Sequence, residues 1–316
     1  MANEMNRMAF GKRLIELADK YEYMVMNADT KSCGLENFGD LYPHRCFNFG
    51  IAEQNLVAAS AGAALCGEKV FFATFAVFAS MRACEQVRTF ICYPNLDVVI
   101  LASHGGLQTG ADGATHIAVE DVAIMRAIPN MCVLEPSDAV CAKKMVELSL
   151  MHKGPLYIRF PKAATPVLHE FDNYDIEIGK GRIFIENGYD CAIFASGWIL
   201  NYAKQAAKEL FMEGIKVTVI EIHTVKPIDS NLVINLAKKC GCVVTVEDHS
   251  IIGGLGSAVS EILGENYPVF IERIGIRDVF GESGTPEELY QANKMSISDI
   301  VDAVKRVLIH RVIDNE

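Results

Sequence analysis

Apolar, β-branched runs alternate with helical segments along most of the chain, and this alternation restricts the fold more than any other feature. Runs at 23–28 (YMVMNA), 69–74 (KVFFAT), 96–102 (LDVVILA), 131–136 (MCVLEP) and 156–160 (LYIRF) have the length and texture of strands. Between them lie segments such as 137–153 (SDAVCAKKMVELSLMHK), with apolar residues at helical spacing and a Ser–Asp start suited to capping. Strand, helix, strand in alternation implies a mostly parallel sheet with helices on both faces. The texture changes over 160–190, a turn-rich stretch broken by Pro161, Pro166, Gly179, Gly181 and Gly188. A second series of strands follows at 191–196, 216–222, 242–248 and 269–275. The sequence therefore predicts two open, mostly parallel-sheet α/β domains, residues 1–165 and 179–316, with a boundary inside 163–180.

The chain has 316 residues, enough for about two ordinary domains. Its apolar runs are broken by charges well short of the roughly 18 residues a membrane helix needs. The opening MANEMNRMAFGKR has neither the apolar core nor the cleavage site of a signal peptide. A formal net charge of −11 argues against a nucleic-acid partner, which requires a basic face. The ten cysteines form no CxxC pair, only the CxC of Cys240 and Cys242. That usage suits a reducing cytoplasm, not a disulfide framework or a zinc site.

Four stretches invite a chemical reading. In RCFNFGIAEQN (45–55) an apolar strand gives way to a helix, with Glu53 at its mouth. A carboxylate in a first helical turn is ordinarily there for the helix dipole. In ATFAVFASMR, Phe75, Phe78 and Met81 lie three apart, a spacing that a buried helix face also produces. SHGGLQTGADGATH (103–116) places His104, Asp112 and His116 in a loop after a strand, with four glycines in fourteen residues. Glycines are costly in conformational entropy and make sense where backbone must approach a ligand closely. Parallel sheets bind ligands at the carboxyl ends of their strands, which this loop leaves. GGLGSA (253–258) opens a helix and has amides that can hold an anion, although it lacks the last glycine of the dinucleotide fingerprint. A tight turn is the reading preferred there.

Taken together, FNFGIAEQN, TFAVFA and DGATH, in that order, resemble the carboxyl-terminal half of transketolase: a pyrimidine-binding domain followed by the C-terminal domain. The likeness runs from about Arg7 to the end of the chain. It is closest to the split transketolases, in which the two halves are separate polypeptides. The resemblance implies thiamine diphosphate as cofactor, with Glu53 contacting a ring nitrogen of its aminopyrimidine. That contact favours the imino tautomer and so the loss of the thiazolium proton. The cofactor does the hard chemistry and the protein orients it.

The resemblance carries other residues over singly. It places Phe75 and Phe78 along the aminopyrimidine. Met81 stands where an aromatic is usual. His104 and His116 match histidines that contact substrate hydroxyls and assist proton transfer, and Asp112 matches an acid that reads hydroxyl stereochemistry. Arg7 resembles an arginine that binds acceptor phosphate. Lys162 falls where an arginine grips the same phosphate, keeping the charge but not the bidentate fork. Asp29 matches an acid near the cofactor. The family's following serine falls at Ser32 or, by direct spacing, at Cys33, and stays open between them. Ala111 and Ile117 replace residues that are usually polar. The Gly-Asp-Gly…Asn motif that holds the diphosphate and Mg²⁺ in full transketolases has no counterpart here, so the implied partner is an N-terminal transketolase subunit carrying it. Self-association through the pyrimidine domain and sugar-phosphate substrates follow from the same likeness. The implied activity is transfer of a two-carbon ketol unit. The rivals are the beta subunit of a 2-oxoacid dehydrogenase, a deoxyxylulose-phosphate synthase fragment, and a non-catalytic interaction subunit.

Overall fold

The computed structural model describes residues 2–30 and 33–313, with side chains through residue 310. Ser32 lies outside the described residues. Strand β1 (Asn3–Glu4) opens the chain. Six parallel strands follow: β2 (Met24–Asn27), β3 (Cys46–Asn48), β4 (Val70–Phe75), β5 (Val98–Ser103), β6 (Cys132–Leu134) and β7 (Leu156–Arg159). β8 (Thr165–Pro166) pairs antiparallel with β1. The second half contributes β9 (Arg182–Glu186), β10 (Cys191–Ser196), β11 (Val217–Ile222), β12 (Thr224–Lys226), β13 (Cys242–Ser250) and β14 (Phe270–Ile276).

These strands make a seven-stranded sheet in the order β12-β6-β7-β5-β4-β2-β3 and a five-stranded sheet in the order β14-β13-β10-β11-β9. The α/β architecture with mostly parallel sheets is the one the apolar alternation predicts, and all nine predicted strands are present. The sequential division into two sheets needs one correction. β12, well beyond the turn-rich stretch, crosses back and pairs antiparallel with β6 at the edge of the first sheet. Three residues at an edge carry too little periodicity to be read from sequence. β9 was also not predicted; it sits among the glycines of the turn-rich stretch as an antiparallel edge strand.

Side chains alternate across each sheet, as the pleat demands. In β5, Val98, Ile100 and Ala102 pack on one face while Val99 and Leu101 pack on the other. In β10, Cys191, Ile193 and Ala195 face one core while Ala192 and Phe194 face the opposite one. Both sheets are thus covered twice, which leaves their strand ends as the places where polar groups gather.

Candidate active site

The carboxyl edge of the seven-stranded sheet collects the predicted site residues from neighbouring strands. Lys162 follows β7, His104 follows β5, Phe75 ends β4, Asp29 follows β2, and Glu53 opens the helix after β3. Residues far apart in sequence meet because parallel strands all deliver their chains to the same edge.

Glu53 is the first residue of the Glu53–Leu65 helix, preceded by Ala52, whose side chain caps nothing. It is only 2% exposed. A helix dipole alone does not require burial, so the dipole reading is insufficient. Its carboxylate accepts from Arg82 Nη1 at 2.8 Å and 2.9 Å, and the guanidinium lies 4.2 Å from the centre of the Phe78 ring. Arg82 was not singled out from the sequence. Its place seven residues after Phe75, the last strand residue of TFAVFA, gives no signal, because the intervening turn is a π-helix over Phe78–Arg82 and breaks 3.6-residue periodicity. Phe75 and Phe78 stack at 5.6 Å. Met81, three residues beyond Phe78, is exposed.

The histidines join this aromatic cluster. The His104 ring lies 3.9 Å from Phe75, and the His116 ring lies 5.7 Å from Phe75 and 5.6 Å from Phe78. His104 has φ +66°, a left-handed backbone uncommon outside glycine, and so does Asp29 at φ +57°. Burial pushes the His104 imidazole down to about 4, helped by the nearby Arg7, Lys162 and His116 and opposed by Asp112. It is therefore neutral at pH 7, and its Nε2 stands 3.6 Å from Asp112 Oδ2, beyond hydrogen-bond range. Its Nδ1 shares a 2.9 Å bond with Ser103 Oγ, while His116 Nδ1 pairs with Thr115 Oγ1 at 2.9 Å.

Lys162 Nζ binds Asp112 Oδ1 at 2.5 Å, and Arg7 Nε donates to the Lys162 carbonyl at 3.4 Å. Lys162, Arg7 and Asp112 are thus one group, not two independent subsites. Asp29 lies further along the edge. Its amide donates to Asn48 Oδ1 at 2.9 Å, and Asn48 Nδ2 returns a bond to Asp29 Oδ1 at 3.0 Å. Cys33 is buried in the core beneath the sheet.

The glycine loop requires a correction. Its glycines meet packed protein, not an open ligand space: Gly105 approaches Arg159, and Gly106, Gly110 and Gly113 approach the second half of the chain. A Cβ at Gly106 would lie 2.3 Å from the Asp248 carboxyl, and one at Gly113 would lie 2.7 Å from Ser283 Oγ. GGLGSA also resolves. Its helix amides are already occupied, because Leu255 N and Gly256 N donate to Glu247 at 2.6 Å and 2.8 Å. Burial pushes the Glu247 carboxyl up to about 8. The anion-binding alternative therefore falls; the chain's own carboxyl fills the helix end.

Beneath the edge, Arg159 is buried and donates to Asp121 Oδ2 and Glu135 Oε1 at 2.8 Å each, and to the carbonyls of Ala118 and Asp248 at 2.9 Å and 3.0 Å. This arrangement offers a buried acid beside stacked aromatics, two imidazoles and a mixed Lys–Arg–Asp group. Among the described residues no cluster of three metal-ligating side chains occurs, and no helix is long and apolar enough to cross a membrane.

Two family patterns match the chain: the pyrimidine-binding domain of transketolase over residues 4–167 and the transketolase C-terminal domain over residues 179–300. A Methanocaldococcus jannaschii protein described as a candidate transketolase C-terminal section is 44% identical, covering 90% of each chain. A 6-deoxy-6-sulfo-D-fructose transketolase subunit of Clostridium sp. is 39% identical, over 93% of this chain and 91% of its own. Among solved structures, a split-gene transketolase described as an inactive beta4 tetramer superposes with a TM-score of 0.90 at 42% identity, covering 96% of this chain and 98% of its own. The chain belongs to the transketolase family, a family dependent on thiamine diphosphate, and corresponds to its pyrimidine-binding and C-terminal domains.

Proposed function

We propose that this chain is the C-terminal subunit of a two-chain transketolase that moves a two-carbon ketol unit from a ketose phosphate to an aldose. Residues 1–165 and 179–316 act as its two domains, with β12 crossing between them. One observation carries the reading: the buried Glu53 carboxylate is bound by Arg82, whose guanidinium lies over the Phe78 ring, with Phe75, His104 and His116 clustered in the same aromatic group. A flat, hydrogen-bonding heterocycle suits that combination of acid and aromatic walls, so the residues present fit the aminopyrimidine half of the cofactor.

When bound, thiamine diphosphate supplies the carbon nucleophile and the electron sink for cleaving and forming the ketol bond. Glu53 would hold a ring nitrogen of the aminopyrimidine, with its carboxyl placed to carry a proton there. Phe75, Phe78 and Met81 line the ring, with Asp29 near the cofactor. His104, held neutral by burial, and His116 exchange protons with substrate hydroxyls, while Asp112 reads their stereochemistry. Lys162 and Arg7 supply positive charge for the acceptor phosphate. The diphosphate and Mg²⁺ are held by a separate N-terminal subunit, since magnesium takes one or two protein oxygens together with phosphates and water. The inactive beta4 assembly of the 42%-identical relative supports a partner requirement. Self-association is supported by the exposed Leu65, Phe90 and Tyr93, which flank the small-residue face of the Glu53–Leu65 helix. A reducing cytoplasm is the compartment proposed from the cysteine pattern.

The test is titration calorimetry followed by reconstitution. The chain alone should bind thiamine diphosphate weakly and transfer nothing. Adding a Gly-Asp-Gly…Asn partner with Mg²⁺ should restore both binding and ketol transfer. Micromolar Mg²⁺-dependent binding without any partner would refute the split site. Acyl transfer to a lipoyl carrier, without ketol transfer, would favour the dehydrogenase reading.

A further inference from the structure

We propose that Asp248, on the second sheet, is a positioning residue for the reaction: its carboxyl seats the loop that carries His104, Asp112 and His116. The role assigned to those three residues rests on the transketolase reading; the seat itself does not.

The loop is anchored at its base by backbone. Gly105 N donates to the Phe160 carbonyl at 3.0 Å, and Gly106 N donates to the Ala118 carbonyl at 2.8 Å. Beyond that base, its next two amides turn away from the sheet that bears them. Leu107 N donates to Asp248 Oδ1 at 2.9 Å, and Gln108 N reaches Asp248 Oδ2 at 3.4 Å. Asp248 cannot drift from this position. Trp198 Nε1 and Tyr290 OH hold its Oδ2 at 2.9 Å and 2.8 Å, and its own carbonyl accepts from Arg159 Nη2 at 3.0 Å.

Gly105 and Gly106 are glycines for the same reason. A Cβ on the first would lie 2.7 Å from Arg159 Nε, and a Cβ on the second would enter the Asp248 carboxyl. The left-handed φ of His104 immediately precedes this seat. A backbone in that region persists only when its surroundings over-determine it. Two consecutive amides fixed by a buried carboxyl, with no slack for a methyl group, provide such surroundings. Asp248 touches no reacting atom in this scheme and acts through the loop.

Two variants press on the seat from opposite sides. Asp248→Ala removes the acceptor, and Gly106→Ala drives a methyl group into it. Gly67→Ala serves as the control, since Gly67 also has positive φ (+98°) but a Cβ there meets nothing within 4 Å. Ring-proton NMR of the full chain between pH 5 and 8 reads His104, which faces Arg7, Lys162, Asp112 and His116. In the wild type and in Gly67→Ala its resonance should not titrate in that window. In either seat variant the loosened loop should admit water and raise the midpoint by about one unit or more, into the window. In the reconstituted complex, kcat should fall at least about tenfold with the cofactor constant unchanged.

A folded Asp248→Ala chain whose His104 still does not titrate above pH 5 overturns the proposal. So does a shifted His104 with wild-type kcat. If Asp248→Ala fails to fold, Gly106→Ala decides by the same criteria. Absence of ketol transfer in the wild-type complex would refute the functional reading, while the NMR comparison would still decide the seat.

Discussion

The two sheets end in the same topological place and use it differently. At the carboxyl edge of the seven-stranded sheet, Asp112, Lys162 and Arg82 remain partly exposed to solvent while Glu53 and His104 sit just beneath them. At the corresponding edge of the five-stranded sheet, the polar groups that end β13 are turned inward. Glu247 closes a helix end, Asp248 seats the loop of the other sheet, and His249 Nε2 accepts from Ala123 N at 3.3 Å. One edge leaves charged groups at the surface; the end of β13 is filled by the protein itself. A strand end rich in acids and glycines is therefore not enough to mark a site. Groups at both edges have internal partners, and what separates the edges is exposure: Asp112, Lys162 and Arg82 reach solvent, whereas Glu247, Asp248 and His249 are buried.

Removing Arg159 is the harshest way to break this contrast, because it unites the two edges. Arg159→Met should cost about 3–5 kcal/mol at pH 7, as expected when a buried charge pair loses one partner. Glu135, a carboxylate that Arg159 pairs directly, already has its carboxyl raised by burial. A raised acid takes up its proton more readily in the folded state. Lowering the pH toward 5 should therefore favour protonation of the orphaned Glu135 and return part of the loss. Urea melts of both proteins at pH 7 and 5 check this. A loss independent of pH would mean the carboxylates are not what Arg159 stabilises.

Glu53→Gln tests the open edge. The amide keeps the shape and an acceptor for Arg82, but it cannot hold a proton or a full charge for a ring nitrogen. Transition-state stabilisation in the reconstituted complex should fall by about 2–4 kcal/mol, the scale of one preorganised electrostatic contact. Partner binding should persist. Turnover at the wild-type rate would remove Glu53 from the chemistry. Arg82→Ala asks the converse question with a smaller effect. It leaves the Glu53 carboxylate buried without its cation, and the isolated chain should lose about 1–2 kcal/mol in thermal unfolding. An unchanged melting temperature would show that water already satisfies Glu53.

Much of this was legible in sequence, and the reasons for the rest are specific. The nine predicted strands were visible because buried parallel strands read as continuous apolar runs. Glu53, Phe75, His104, Asp112 and His116 were found through motif wording, and the sheet brings them to one edge. The glycines of 103–116 were rightly seen as a close approach, but the approaching body was Asp248 and Ser283, more than a hundred residues away. No local pattern reveals a contact of that range. Arg82 escaped because a π-helix turns it back onto Glu53. The short edge strand β12 escaped because three residues hold less than two alternations.

The finest test compares Lys162 with its own partner. Lys162 is partly exposed and bound by Asp112 at 2.5 Å, so its charge is both screened by water and shared with a carboxylate. Lys162→Ala should weaken phosphate recognition by only about 1 kcal/mol, roughly fivefold in the Michaelis constant for phosphorylated acceptors. Unphosphorylated acceptors should be unaffected. Asp112→Asn should move the same constant the other way, because it releases the ammonium from its carboxylate while leaving Arg7 in place. It should also blur the choice between hydroxyl epimers, which Lys162→Ala should not. Opposite signs on phosphate, with stereochemistry altered in only one variant, would separate two roles within a single ion pair. The same sign for both substitutions would mean that the pair serves only to hold the loop tip, and that acceptor phosphate is bound by other residues.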